Sequence, residues 1–143
     1  MCIRNSDIHV PERSKSKESP LFMSVVPAGF PSPADDYVER KLDLNTCLIR
    51  HPAATFFVRV SGDSMTGAGI HSGDLLIVDR ALEPVDGGVV IACVDGELMV
   101  KRIRKRDGKL FLVPDNREYD PIEITEDMDL TVWGVATTVI HNL

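Results

Sequence analysis

Two short stretches of this chain carry side chains whose types could do chemistry together. "VSGDSMTGAGIHSGDLLIVDR" places Ser64 just after a strand-like run, in a loop with glycines at 62, 67, 69 and 73. Glycine lets such a loop turn sharply and leaves backbone N–H groups near the serine, the arrangement an oxyanion needs. A serine in a Gly-rich loop is equally a plain turn residue, so the question is what would take its proton. The four histidines are His9, His51, His71 and His141. His9 lies in a polar N-terminal stretch, His51 precedes a proline, His141 sits at the C-terminus, and His71, in the same loop as Ser64, suits a solvated turn. No GxSxG elbow is present. A lysine can replace histidine as base where the protein suppresses its charge. Lys101 in "GELMVKRIR" is the candidate, because strand alternation puts it on one face with the apolar Met99 and Ile103. The same stretch also suits a basic, solvated hairpin, since Arg102, Arg104 and further bases up to Lys109 follow it.

The surrounding pattern says which elements would position these residues. "ATFFVRVSG", "DLLIVDR", "GVVIACV", "ELMVKRIR", "KLFLVP" and "LTVWGVATTVI" are rich in β-branched and aromatic residues with period-two character, and read as strands. Asp95-Gly96 and Asp107-Gly108 separate consecutive runs and are type I′ hairpin signals. The expectation is a mainly antiparallel β domain from about residue 53 onward. Ahead of Pro52, the spacing of Tyr37, Val38, Leu42, Leu44, Leu48 and Ile49 predicts one or two short helical turns. Residues 1–20 are polar and aperiodic, as in a flexible arm. Between arm and domain lies "VVPAGFPSP", where Pro27, Pro31 and Pro33 enforce an extended chain around Ala28 and Gly29. Such a segment is either a linker or something shaped to lie in a groove.

Composition narrows the function classes. The chain has 143 residues, enough for one modest core, with 16 basic and 22 acidic side chains and a net charge of −6. That balance argues against coating nucleic acid or an anionic membrane. The basic run "KRIRKRDGK" is opposed by the acidic stretch from Asp115 to Asp129 and has no interleaved aromatics, so strong direct nucleic-acid binding is not expected. Cys2, Cys47 and Cys93 form no CxxC pair, which suggests neither a disulfide framework nor a zinc site, and no cofactor or metal is expected. No signal-type apolar stretch or membrane-length run is present, so the expected location is cytoplasmic.

Taken in order and spacing, "GFPSPADDYVE", "HPAATFFVRVSGDSM", "GDLLIVDR", "VDGELMVKRI" and "LVPDNREYDPI" resemble the UmuD family of SOS-response proteins, over residue 21 to about 138. More distantly, "SGDSM" and "VKRI" are similar to the self-cleaving domain of LexA-type repressors and to the Ser/Lys core of type I signal peptidases. The resemblance implies a LexA/signal-peptidase-like antiparallel β fold, with an arm over 1–33 and a peptidase and dimerisation domain over 34–143. It implies Ser64 as nucleophile, Lys101 as general base and the Ala28–Gly29 bond as the self-cleavage site, with the backbone N–H groups of Ser64 and Met65 holding the oxyanion. Ala28 stands where UmuD members often carry cysteine and matches the repressor pattern instead. The implied partners are a second copy in a homodimer, a RecA filament on single-stranded DNA as co-protease, and a UmuC-type Y-family translesion polymerase. The short segment before the cleavage bond offers no helix-turn-helix. A non-enzymatic partner-binding module of the same fold is the alternative.

Overall fold

The structure, a computed structural model, describes residues 8–11, 18–22 and 38–143. The expected arm–domain boundary at residues 33 and 34 and the whole proline segment lie outside the described residues. The chain divides into two units, one of which takes in Glu12–Arg50 and the other the residues up to Pro11 together with His51–Leu143.

Short strands occur inside the stretch expected to be an arm. Ile8–His9 forms β1, and Glu18–Phe22 forms β2, which pairs antiparallel with β3, Val38–Asp43. The helix α1 follows at Leu44–Leu48. Asp43 caps it by accepting the Asn45 N–H at 3.0 Å and the Thr46 hydroxyl at 3.1 Å. Of the helical turns expected ahead of Pro52, α1 is present, whereas Val38 and Leu42 sit in a strand. Pairing with β2 satisfies their backbone groups and overrides a weak local periodicity.

In the other unit, β4 (Thr55–Arg59), β5 (Leu75–Asp79), β6 (Val89–Val94), β7 (Glu97–Arg106), β8 (Lys109–Val113), β9 (Ile122–Ile124) and β10 (Leu130–Ile140) join β1 in one sheet. Its order is β1-β4-β5-β10-β6-β7-β8-β9, and every neighbouring pair is antiparallel. The β6–β7 and β7–β8 connections are the two Asp-Gly turns. Asp95 and Gly96 have φ of 49° and 84°, and Asp107 and Gly108 have 50° and 74°, the positive pair a type I′ turn requires. That turn fixes β7 in register between its neighbours, with Lys101 opposite Val90.

The long β10 pairs with β6 through its first half and with β5 through its second, with irregularities between Val132 and Gly134 and between Ala136 and Thr138. A Cβ at Gly134 would lie 2.7 Å from Val78 Cγ1 and 3.1 Å from the Asp79 carbonyl oxygen, so the bend needs glycine. Alternation along β6 then builds a core on each face. Ile91 joins Phe56, Val58, Met65, Leu76, Val78 and Val100 on one side, while Val90, Ala92 and Val94 pack with Ile103 and Leu112 on the other.

Candidate active site

The β4–β5 connection is a loop closed at its base by backbone pairing. The Gly73 N–H donates to the Val60 carbonyl at 2.8 Å, and the Val60 N–H to the Asp74 carbonyl at 3.0 Å. Inside it, Met65 is fully buried in the first core cluster. Its carbonyl accepts the N–H groups of Ala68 at 3.0 Å and Ile70 at 3.2 Å, closing a 3₁₀ turn over Thr66–Ala68 that ends on Gly69 at φ 77°. Ser64 therefore directly precedes Met65, the residue that caps this turn and whose side chain is rooted in the hydrophobic core. Its position is fixed from below rather than by the loop's own stiffness.

Lys101 reaches this serine from β7. Its Nζ lies 2.8 Å from Ser64 Oγ, across 37 positions of sequence. Ser64 has no exposed surface and Lys101 only 6 %. Burial penalises the ammonium and pushes the Lys101 pKa below its ordinary value. The basic-hairpin alternative holds for Lys105 and Arg106, which are exposed, but not for Lys101 itself.

His51 and His141 are engaged elsewhere. His51 Nδ1 lies 2.7 Å from Asp79 Oδ2, and His141 Nδ1 lies 2.6 Å from Asp74 Oδ1. His71 turns Nδ1 toward Asp74 Oδ2 at 3.8 Å. Buried Asp74 would hold its proton more tightly through desolvation, but the His71 backbone N–H and the His141 imidazole outweigh this and keep its pKa below the usual carboxylate range.

A second layer of contacts around the serine loop escaped sequence reading. Arg102 Nε and Nη2 lie 3.0 Å and 2.5 Å from Asp115 Oδ2, and Nη1 donates to the Gly87 carbonyl at 2.6 Å. This ion pair holds the β8–β9 connection, which in turn holds the serine loop. The Gly67 N–H donates to the Asp115 carbonyl at 2.6 Å, Asn116 Nδ2 to the Asp63 carbonyl at 2.8 Å, and the Tyr119 hydroxyl to the Asp63 carboxylate. That last bond raises the Tyr119 pKa. A cavity of about 480 Å³ lies beside the loop, lined in part by Thr66, Gly67, Asp115, Arg117 and Tyr119. The signal for this layer was present in "DNREYD", but nothing in the spacing says which loop it touches. Ala28 and Gly29 lie outside the described residues.

The Peptidase S24-like family model matches residues 20–137, which spans the serine loop, β7 and the β8–β9 connection. The chain belongs to the Peptidase S24-like family. It is 51% identical over 123 residues to Protein SamA of Salmonella typhimurium, covering 86% of this chain and 85% of that one. It is 48% identical over 132 residues to Protein ImpA of Escherichia coli, covering 92% and 89%. A LexA repressor from Shewanella sp. (strain ANA-3) is 36% identical over 140 residues, covering 97% of this chain and 68% of the repressor. These matches bear out the UmuD-type resemblance and the mainly β, LexA-like fold. The chain is a UmuD-like member of the S24 peptidases, of the self-cleaving serine kind, with a role in SOS mutagenesis. Among the described residues no helix is long and apolar enough to cross a membrane.

Proposed function

We propose that this S24 peptidase cuts its own chain between Ala28 and Gly29, with Ser64 as nucleophile and Lys101 as general base. The observation that carries the reading is the 2.8 Å contact between Lys101 Nζ and Ser64 Oγ in a buried setting. A neutral amine at that distance accepts the hydroxyl proton as Oγ attacks the Ala28 carbonyl carbon. The backbone N–H groups of Ser64 and Met65 hold the oxyanion that forms. The C–N bond then breaks, Lys101 returns its proton to the Gly29 amine, and residues 29–143 are freed. Water, deprotonated by the same lysine, releases residues 1–28 from the acyl enzyme.

The proline segment is a substrate tethered to its enzyme. Proline fixes φ and lacks an N–H, which suits an extended substrate, and two small residues at the bond leave a nearly bare backbone for the hydroxyl to attack. Tethering supplies an effective concentration on the order of millimolar, so little intrinsic affinity is needed. A RecA filament on single-stranded DNA stimulates the cut by favouring the docked segment. The processed homodimer then serves as accessory subunit of a UmuC-type Y-family translesion polymerase.

The test is intact mass of the full chain after incubation with RecA, a nucleotide analogue and single-stranded DNA. Wild type should yield a product beginning at Gly29, and Ser64→Ala should stay whole. A cut at another bond overturns the site assignment. No cut in the wild type under any of these conditions leaves the partner-binding module as the reading. The polymerase partnership stands or falls on whether the 29–143 product co-purifies with a Y-family polymerase.

A further inference from the structure

Away from Ser64 and Lys101, the described residues hold one cluster of three metal-ligating side chains, His71, Asp74 and His141, whose ligand atoms all lie within 4.8 Å of one another. Its members come from two places that the sheet brings together. His71 and Asp74 close the far side of the serine loop, and His141 directly follows β10, whose last residues pair with β5 from Leu75 onward.

We propose that His71, Asp74 and His141 form a binding site for a divalent transition-metal ion, with Zn²⁺ as the reference ion. The donor set is two imidazole nitrogens and one carboxylate oxygen, which suits zinc and its neighbours and disfavours calcium or magnesium, whose sites are built from oxygen. Metal–ligand bonds of about 2.0–2.2 Å in a tetrahedron place ligand atoms roughly 3.3 Å apart. The present separations from the two carboxylate oxygens of Asp74 bracket that figure, at 2.6 Å from Oδ1 to His141 Nδ1 and 3.8 Å from Oδ2 to His71 Nδ1, so the ion can take either oxygen. The two rings face a common space, with centroids 5.1 Å apart.

Asp74 supplies the fixed end of the site. Its side chain is only 4 % exposed, while those of the two histidines are about half exposed and reachable from solvent. The His71 backbone N–H holds Asp74 Oδ2 at 2.7 Å, the kind of outer contact that orients a metal-binding carboxylate. Small rotations of two half-exposed imidazoles complete three ligands, and water takes the open position. The bound ion fastens the end of β10 to the loop that carries Ser64.

The test uses tag-free, chelator-treated full chain titrated with Zn²⁺ by calorimetry and with Co²⁺ by visible absorption. The expected result is one ion per chain, cobalt d–d bands without thiolate charge transfer, and a melting temperature that rises with Zn²⁺. His71→Ala and His141→Ala should each weaken Zn²⁺ binding at least about tenfold, since a direct ligand counts for no less than an outer-shell partner. His141→Gln, which keeps a hydrogen-bonding group beside Asp74 but offers no imidazole, should lose binding and yet fold. No saturable binding overturns the proposal, as does unchanged affinity in both alanine variants. Thiolate charge transfer on Co²⁺, which would assign the ion to the cysteines, also overturns it.

Discussion

The Lys101 amine sits where water is excluded, which has opposite consequences for stability and for reactivity. Its pKa in the folded chain lies below the ordinary 10.5. At low pH the folded state carries the full cost of a buried ammonium, and that cost is relieved as pH rises from the depressed value to the unfolded one. Lys101→Met keeps the shape of the side chain without the charge, so it should melt at or above the wild-type temperature at neutral pH. A gain of 1 kcal/mol is worth roughly 4 °C in a domain of this size. The difference should shrink as pH climbs toward 10.5. Melting curves of the two proteins against pH decide this, and a constant difference removes Lys101 as the titrating group. The reactivity prediction has the same origin. Unstimulated self-cleavage should rise about tenfold per pH unit above neutrality until Lys101 loses its proton. Lys101→Arg keeps the charge and should show no cleavage at any of these pH values, because guanidinium does not give up its proton. Initial rates by gel densitometry test both statements, and measurable cleavage in Lys101→Arg removes the lysine from the mechanism.

At the scale of elements, two glycines separate a contact that places the serine from one that merely makes a turn. A Cβ at Gly67 would come within 2.6 Å of the Asp115 carbonyl oxygen, which is backbone and is anchored through Arg102. Gly67→Ala must therefore push the serine loop and the β8–β9 connection apart, at a cost of about 1–3 kcal/mol. The stronger effect should fall on self-cleavage, because Ser64 lies just before the turn that moves. Gly96, by contrast, has open space around it and only its φ of 84° to defend. Gly96→Ala should cost a similar ~1–2 kcal/mol through left-handed strain. Its cleavage rate should match wild type under conditions where both are folded. Urea denaturation alongside single-turnover cleavage compares them, and equal rate losses in the two variants would show that Gly67 matters only for stability.

Over the whole molecule, one sheet carries both cores, so damage on either face should be felt on the other. Leu112 is fully buried in the second cluster, while Trp133 packs against the first and meets Phe56 edge to face at 6.5 Å. Leu112→Ala should cost about 2–5 kcal/mol. The unfolding midpoint followed by Trp133 fluorescence should shift as far as the one followed by circular dichroism. A fluorescence midpoint that stays at the wild-type position would mean the two faces unfold separately.

The sequence alone determined most of the strands and the two hairpin turns, and it offered Ser64 and Lys101 as candidates that the resemblance to the UmuD family paired. Those features are local. Alternation marks a strand face, Asp-Gly demands positive φ, and the motifs around residues 64 and 101 keep their order and spacing along the chain. The strands at Ile8–His9 and Glu18–Phe22 were not legible, because such short segments without alternation become strands only when a partner satisfies their backbone groups. The same is true of the ion pair of Arg102 with Asp115 and the meeting of His71, Asp74 and His141. Both depend on which strands are neighbours. Only the tertiary structure sets β10 between β5 and β6, and so brings a C-terminal histidine to a loop some 70 positions away. Sheet order is decided by long-range burial of two apolar faces, a property of the folded chain that no window of sequence contains.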